Sequence, residues 1–241
     1  MRIIARLDVK QNMLIKSVMF DGVRKIGDPA KFADEYYNAP IDELMIINIT
    51  GSLYGTQLDT KIVEQIRENK AIPISAGGGI SSLCDAKKII SSGADKLVIN
   101  SLIHNNSKEV EKIVNMFGSS SVVGVIEIES RDEKYFSVFE MARQSSQLNI
   151  DQTISKYLDL GIGEIVLVDV SRDGCYKGLN EGLIEYAIKY QSKAPFLISG
   201  GFSSPIEVNK FKEAFSGVVI SSAFHYKKFD LTYLKKYNNS Y

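Results

Sequence analysis

Residues 72–82 read IPISAGGGISS and residues 195–204 read PFLISGGFSS. In both, an apolar run that suits a strand buried on two faces ends in glycines and then serines. The likeness extends outward. Ser101-Leu-Ile-His104 returns as Ser222-Ala-Phe-His225, and Asp42-Glu43-Leu-Met-Ile-Ile-Asn48 as Gly163-Glu164-Ile-Val-Leu-Val-Asp169. Gly201 follows Gly79 by 122 positions, while His225 follows His104, and Glu164 follows Glu43, by 121. The chain reads as two half-length copies of one design. A solenoid needs at least about three copies of roughly 20–50 residues, and two long copies argue against it.

Further strands are expected at residues 3–9, 44–49, 96–99, 122–128, 164–170 and 218–220, beside those at 72–75 and 196–198. Amphipathic segments at 60–69, 82–92, 150–160 and 205–215 lie between them. Strand and helix alternating eight times predict an α/β fold, a (β/α)8 barrel with a twofold half-barrel repeat. A doubly wound sheet gives no reason for that repeat. The 241 residues suit one such domain, spanning 1–241, with no linker or change of composition.

Lys and Arg number 29, and so do Asp and Glu, so neither nucleic acid nor an anionic membrane is an expected partner. No run approaches the roughly 20 apolar residues of a membrane span, and charges interrupt the amino-terminal MRIIARLDVK. A cytoplasmic protein is expected. Cys84 and Cys175 stand alone without CxxC spacing and read as structural or incidental thiols. Neither a metal nor a cofactor is expected.

In such a barrel, chemistry sits at the carboxyl ends of the strands. The first strand is expected to end at Asp8 and the fifth at Glu127, half a barrel apart. Two opposed carboxyl groups can divide acid and base duties if their surroundings separate their pKa values. Capping of a helix or turn is the plainer role for either one. Gly77-Gly78-Gly79 with Asn100 and Ser101 would form one phosphate site, and Gly200-Gly201 with Ser221 and Ser222 the other. Glycines allow positive φ and close approach, and short polar side chains add donors. Ser171-Arg-Asp-Gly174 is either a plain type I turn or a loop whose Asp173 and Gly174 meet substrate hydroxyls.

ARLDVK, GDP at 27–29, GGGIS, GADK at 93–96, FGS at 117–119, GEIVLVDVSRDG, ISGG and SAFH occur in one order over nearly the whole chain. In these motifs the chain resembles the cyclase subunit of imidazole glycerol phosphate synthase (HisF). The resemblance implies a substrate with two phosphates lying across the barrel mouth, and ammonia delivered along the barrel axis from a HisH-type glutaminase docked on the opposite face. It places the family's two catalytic aspartates on Asp8 and Glu127 and its mobile-loop lysine on Lys16. Its four-charge ammonia gate falls on Arg2, Glu43, Lys96 and Glu164, which structural ion pairs closing the barrel floor would also explain.

The chain departs from the family pattern at the mouth. Glu127 stands for the second aspartate, and Asn48 ends the second strand where an aspartate is usual. Gln11-Asn12 replaces Asp-Gly, and a Thr-Gly is replaced near Ser146-Gln147. These changes, with ARLDVK and the SLYG of 52–55, resemble the WbuZ-type branch found beside surface-polysaccharide genes. That branch implies glutamine-dependent amidation of a sugar, with a separate sugar amidotransferase. Histidine biosynthesis, the related phosphoribosyl isomerase and a non-catalytic, ammonia-conducting scaffold remain as alternatives.

Overall fold

Eight of the apolar runs form parallel strands in the computed structural model, which describes residues 1–68, 70–131, 134–229 and 233–234. They are β1 (Arg2–Lys10), β2 (Glu43–Asn48), β3 (Ile74–Gly77), β4 (Lys96–Ile99), β5 (Val122–Arg131), β6 (Glu164–Asp169), β7 (Phe196–Ser199) and β8 (Gly217–Ile220). Each pairs with the next, and Arg2↔Gly217 through Ala5↔Ile220 join β1 to β8. The result is a closed (β/α)8 barrel with no free edge among these strands.

Alternation along each strand separates two cores. On β1, Ile3, Ala5 and Leu7 pack outward beneath the helices, while Ile4 joins Met45, Val98, Val123, Val166, Leu197 and Val219 inside the barrel. The same period turns Arg2, Arg6 and Asp8 toward the axis. A charged floor, an apolar middle and a polar mouth are therefore stacked along one strand.

The predicted helices appear as Thr60–Arg67, Leu83–Ser91 and Ile150–Asp159, whose first turns are capped by the side chains of Asp59, Ser82 and Asn149. The expected end of the first, at Asn69, lies outside the described residues. The segment at 205–215 keeps only Glu207–Phe211 as helix and continues as a turn in which Ala214 and Phe215 bond back to the Phe211 carbonyl. β3 begins two residues later than expected. Pro73 has no N–H for the ladder, and its carbonyl instead accepts from Leu44.

Two hairpins were not expected from the sequence, and they correct the ends of the first and fifth strands. β1 runs past Asp8 to Lys10, turns at Gln11-Asn12 and pairs antiparallel with Met13–Val18, which turns at Met19-Phe20 into Asp21–Gly27. β5 runs past Glu127 to Arg131 and pairs with Lys134–Phe139, followed by Gln144–Ser145. Both excursions leave from the mouth. Among the described residues, no helix is long and apolar enough to cross a membrane.

Candidate functional site

At the floor, the inward side chains of β1, β2, β4 and β6 meet. Arg2 donates to Glu43 at 2.9 Å and also to Glu164, while Lys96 lies 3.3 Å from Glu43 and 3.0 Å from Glu164. Each cation thus touches both carboxylates. Ser75 adds a bond of 2.6 Å to Glu43. The structure brings all four expected charges into one ring.

At the mouth, Asp8 is fully buried, with Arg6 Nε 2.7 Å from Oδ1 and Lys16 Nζ 3.3 Å from Oδ2. Burial works to raise the Asp8 carboxyl, but Arg6 and Lys16 outweigh it and hold the group below the ordinary carboxylate range. Glu127 has the opposite balance. Burial pushes it up to about 7, although the Ala142 N–H donates to Oε2 at 2.8 Å and Asn100 Nδ2 to Oε1 at 2.9 Å. Residues 140–142 hold that N–H in place with three consecutive positive φ angles, 56°, 56° and 58°. Non-glycine residues resist this conformation, at a cost on the order of 1 kcal/mol or more each.

Lys16 lies on the first hairpin rather than in an open loop. It is buried, and its ammonium bridges Asp8 and Asp173, the latter at 2.7 Å. Met19 N–H donates to the Asp173 carbonyl, so the hairpin is tied across the mouth. Segment 171–174 is a turn, and its Asp173 carboxylate faces Lys16.

The two glycine turns have matching geometry. Gly78 and Gly79 have φ of 101° and 74°, and Gly200 and Gly201 of 95° and 92°. A Cβ on Gly78 would meet the Asn48 carbonyl at 2.3 Å, and one on Gly200 would meet the Asp169 carbonyl at the same distance. Asn48 and Asp169 are themselves repeat partners. A cavity of about 60 Å³ is lined by Gly78, Gly79, Asn48, Asn100, Ser101 and Glu127, together with Arg6 and Phe20. A second, of about 20 Å³, is lined by Asp173, Gly174, Gly200, Gly201, Ser221 and Ser222. Ser222 Oγ and Asn100 Oδ1 are buried there without a hydrogen-bond partner among the described residues. Both are short polar groups left for something else to satisfy.

Asn48 is fixed as an amide by its surroundings. Its Nδ2 faces the carbonyls of Thr56 at 3.3 Å and Gln57 at 3.1 Å, which a carboxylate would repel.

Arg6 was missed in the sequence reading. Its guanidinium lines the first cavity, bonds Asp8 and feels the charges of both Asp173 and Glu127. The period of two along ARLDVK carried the signal, since it places Arg6 on the inward face beneath Asp8. Phe20, buried against the same cavity and 6.0 Å from Arg6 Cζ, had no such signal.

The chain is similar to known proteins over most of its length. A family model described as "Histidine biosynthesis protein" matches residues 2–230. Imidazole glycerol phosphate synthase subunit HisF of Thermococcus onnurineus is 32% identical over 240 residues, covering 98% of this chain and 94% of that one. The subunit HisF of Bacillus velezensis is 31% identical over 241 residues, covering 98% and 95%. That of Legionella pneumophila is 34% identical over 209 residues, covering 86% and 98%.

Proposed function

The chain belongs to the histidine biosynthesis protein family, among the HisF subunits of imidazole glycerol phosphate synthase, and on that premise we propose that it is an ammonia-using synthase acting on a doubly phosphorylated substrate. One observation carries the reading: two carboxyl groups at one mouth have opposite surroundings, Asp8 bonded by the cations of Arg6 and Lys16 and held below the ordinary carboxylate range, Glu127 bonded by the neutral donors Asn100 and Ala142 N–H and pushed up by burial to about 7. Asp8 then takes the proton that ammonia loses as its nitrogen bonds to carbon, and Glu127 supplies one to the departing oxygen. Arg6 stabilises Asp8. Lys16, released from Asp173, closes over the substrate.

Gly78, Gly79, Asn100 and Ser101 hold one phosphate and Gly200, Gly201, Ser221 and Ser222 the other, with Asp173, Gly174 and Asn48 on the intervening hydroxyls. Ammonia enters through Arg2, Glu43, Lys96 and Glu164 from a HisH-type glutaminase seated on the floor. Residues 1–241 act as one domain, in the cytoplasm.

Within this family we place the chain in the branch that amidates a surface-polysaccharide sugar, working with a separate sugar amidotransferase. Glu127 carries its carboxyl one methylene further than an aspartate would, and Asn48 is used as an amide, so the substrate contacts at the mouth are rebuilt while the floor ring is complete. Histidine biosynthesis is the competing reading, favoured by the names of the relatives. Growth of a bacterium lacking its histidine-pathway cyclase, supplied with this chain and its own glutaminase partner, decides between them. No restored growth is expected. Robust growth at ordinary expression would assign the chain to histidine synthesis.

A further inference from the structure

Tyr157 follows Tyr36 by 121 positions, the spacing that also separates His225 from His104. The duplication therefore supplied two tyrosine–histidine pairs, each formed by a tyrosine of one half and a histidine of the other. They have diverged. Tyr36, on the helix Pro29–Tyr37, places its hydroxyl 2.5 Å from His225 Nδ1, and His225 Nε2 lies 3.0 Å from Ser221 Oγ. In the other pair, the Tyr157 hydroxyl donates to the Val125 carbonyl at 2.8 Å and stands 3.4 Å from His104 Nε2. His104 stacks on Phe139 with ring centroids 4.3 Å apart. Asn100, the counterpart of Ser221, donates to Glu127.

We infer that Tyr36 and His225 are positioning residues that fix the Ser221 hydroxyl as a donor into the second cavity, making it the preorganised anion site of the two. The argument is one of proton bookkeeping, and it rests on the phosphate-site reading proposed above. Tyr36 is fully buried, and the acceptor that its hydroxyl meets among the described residues is His225 Nδ1. Were Nδ1 protonated, the phenol proton would be buried unpaired, at a cost of about 1–3 kcal/mol. Burial also pushes the phenol upward, so it keeps its proton, and holds the imidazole at about 3, so it stays neutral. Tyr36 therefore donates to Nδ1, and the single ring proton sits on Nε2.

From Nε2 that proton is donated to Ser221 Oγ. With its oxygen already accepting, Ser221 turns its own hydrogen toward the cavity it lines with Gly200, Gly201 and Ser222. An anion there meets a proton instead of a lone pair. The opposite tautomer would reverse both bonds and aim the oxygen's lone pairs at the anion. Asn100 is committed to Glu127 and receives no such orientation, so the first site lacks the device.

Inorganic phosphate is the probe. Backbone amide NMR of the whole chain reads each site separately, at Gly201 and Ser222 for the second and at Gly79 and Ser101 for the first. Tyr36→Phe keeps the ring packing and removes only the hydroxyl. It should weaken phosphate at the second turn about fivefold, the worth of one hydrogen bond, and leave the first unchanged. In a Ser221→Ala background the same substitution should do nothing more. Losses that simply multiply would mean that Tyr36 acts through packing, and would overturn the inference. Nitrogen shifts of His225 in the unmodified protein give a reading independent of any variant: an Nε2–H tautomer is expected, and an Nδ1–H tautomer overturns the inference. If phosphate moves neither turn of the unmodified protein, the anion-site reading itself fails and takes this inference with it. If it moves both but Tyr36→Phe changes nothing, only the inference falls.

Discussion

Lys16 and Asp173 lie 157 positions apart in sequence, yet the ammonium of one is 2.7 Å from the carboxylate of the other, and both are buried. The contact ties the first hairpin to the turn after β6 and so spans the mouth. Asp173 also lines the second cavity, beside Gly200, Gly201 and Ser221.

Replacing Asp173 by Ala leaves Lys16 with Asp8 alone. Removing one member of a buried ion pair is costly, and with the second carboxylate still present the loss should be about 2 kcal/mol. Urea denaturation measures it. Trypsin cleavage at the exposed Arg24 and Lys25 should also quicken as the hairpin loosens. Unchanged stability and unchanged cleavage would mean that the hairpin is held by its other contacts.

Glu127 gives a pH dependence with a definite sign. Its folded pKa, about 7, lies above the ordinary 4.5, so the folded state binds the proton more tightly than the unfolded one. That favours folding below pH 4.5 and is progressively lost as pH rises to 7. Relative to Glu127→Gln, the unmodified protein should lose on the order of 3 kcal/mol of stability between pH 4 and pH 8. Parallel stability curves for the two proteins would place the Glu127 pKa near its ordinary value.

Arg6 should set the acid limb of the reaction. Arg6→Met removes the hydrogen-bonded cation beside Asp8, whose carboxyl then rises under its own burial. The low-pH limb of ammonium-dependent turnover should move upward by about one unit or more. A limb that stays in place would exclude Asp8 as the group that titrates there.

The floor ring is tested by changing the nitrogen source. Lys96→Ala should alter glutamine-dependent turnover with the glutaminase bound, and leave turnover with added ammonium nearly intact. Equal losses in both assays would mean that the ring only holds the barrel shut.

Much of the barrel was legible because each strand is a short apolar run buried on both faces and ended by glycine or by a polar residue. The repeat then fixed the count of eight. The hairpins were not legible, for a conformational reason. The two-residue turns of the first excursion fall on Gln11-Asn12 and Met19-Phe20, all four with positive φ between 48° and 60°, while residues 132–133 of the second lie outside the described residues. Such turns are usually announced by Asn-Gly or Asp-Gly, and the Asp21-Gly22 that would be read as one sits a step beyond, starting the next strand. At the site, Asp8 and Glu127 were legible as the polar ends of apolar runs, and the ring through the family resemblance. The partner choices of Lys16 and His225 were not, since they join residues far apart in sequence through contacts that exist only once the barrel has closed.

The ring on the barrel floor alternates in sign, with Arg2 and Lys96 each between Glu43 and Glu164. Two positive and two negative charges so arranged form a quadrupole, whose field cancels a short distance away. At physiological ionic strength, with screening over about 8 Å, a protein approaching this face feels almost nothing from the ring until it is in contact. The ring can therefore act on a small molecule passing through it, yet it contributes little to guiding a subunit onto it. The association rate of such a subunit should owe little of its salt dependence to these four residues.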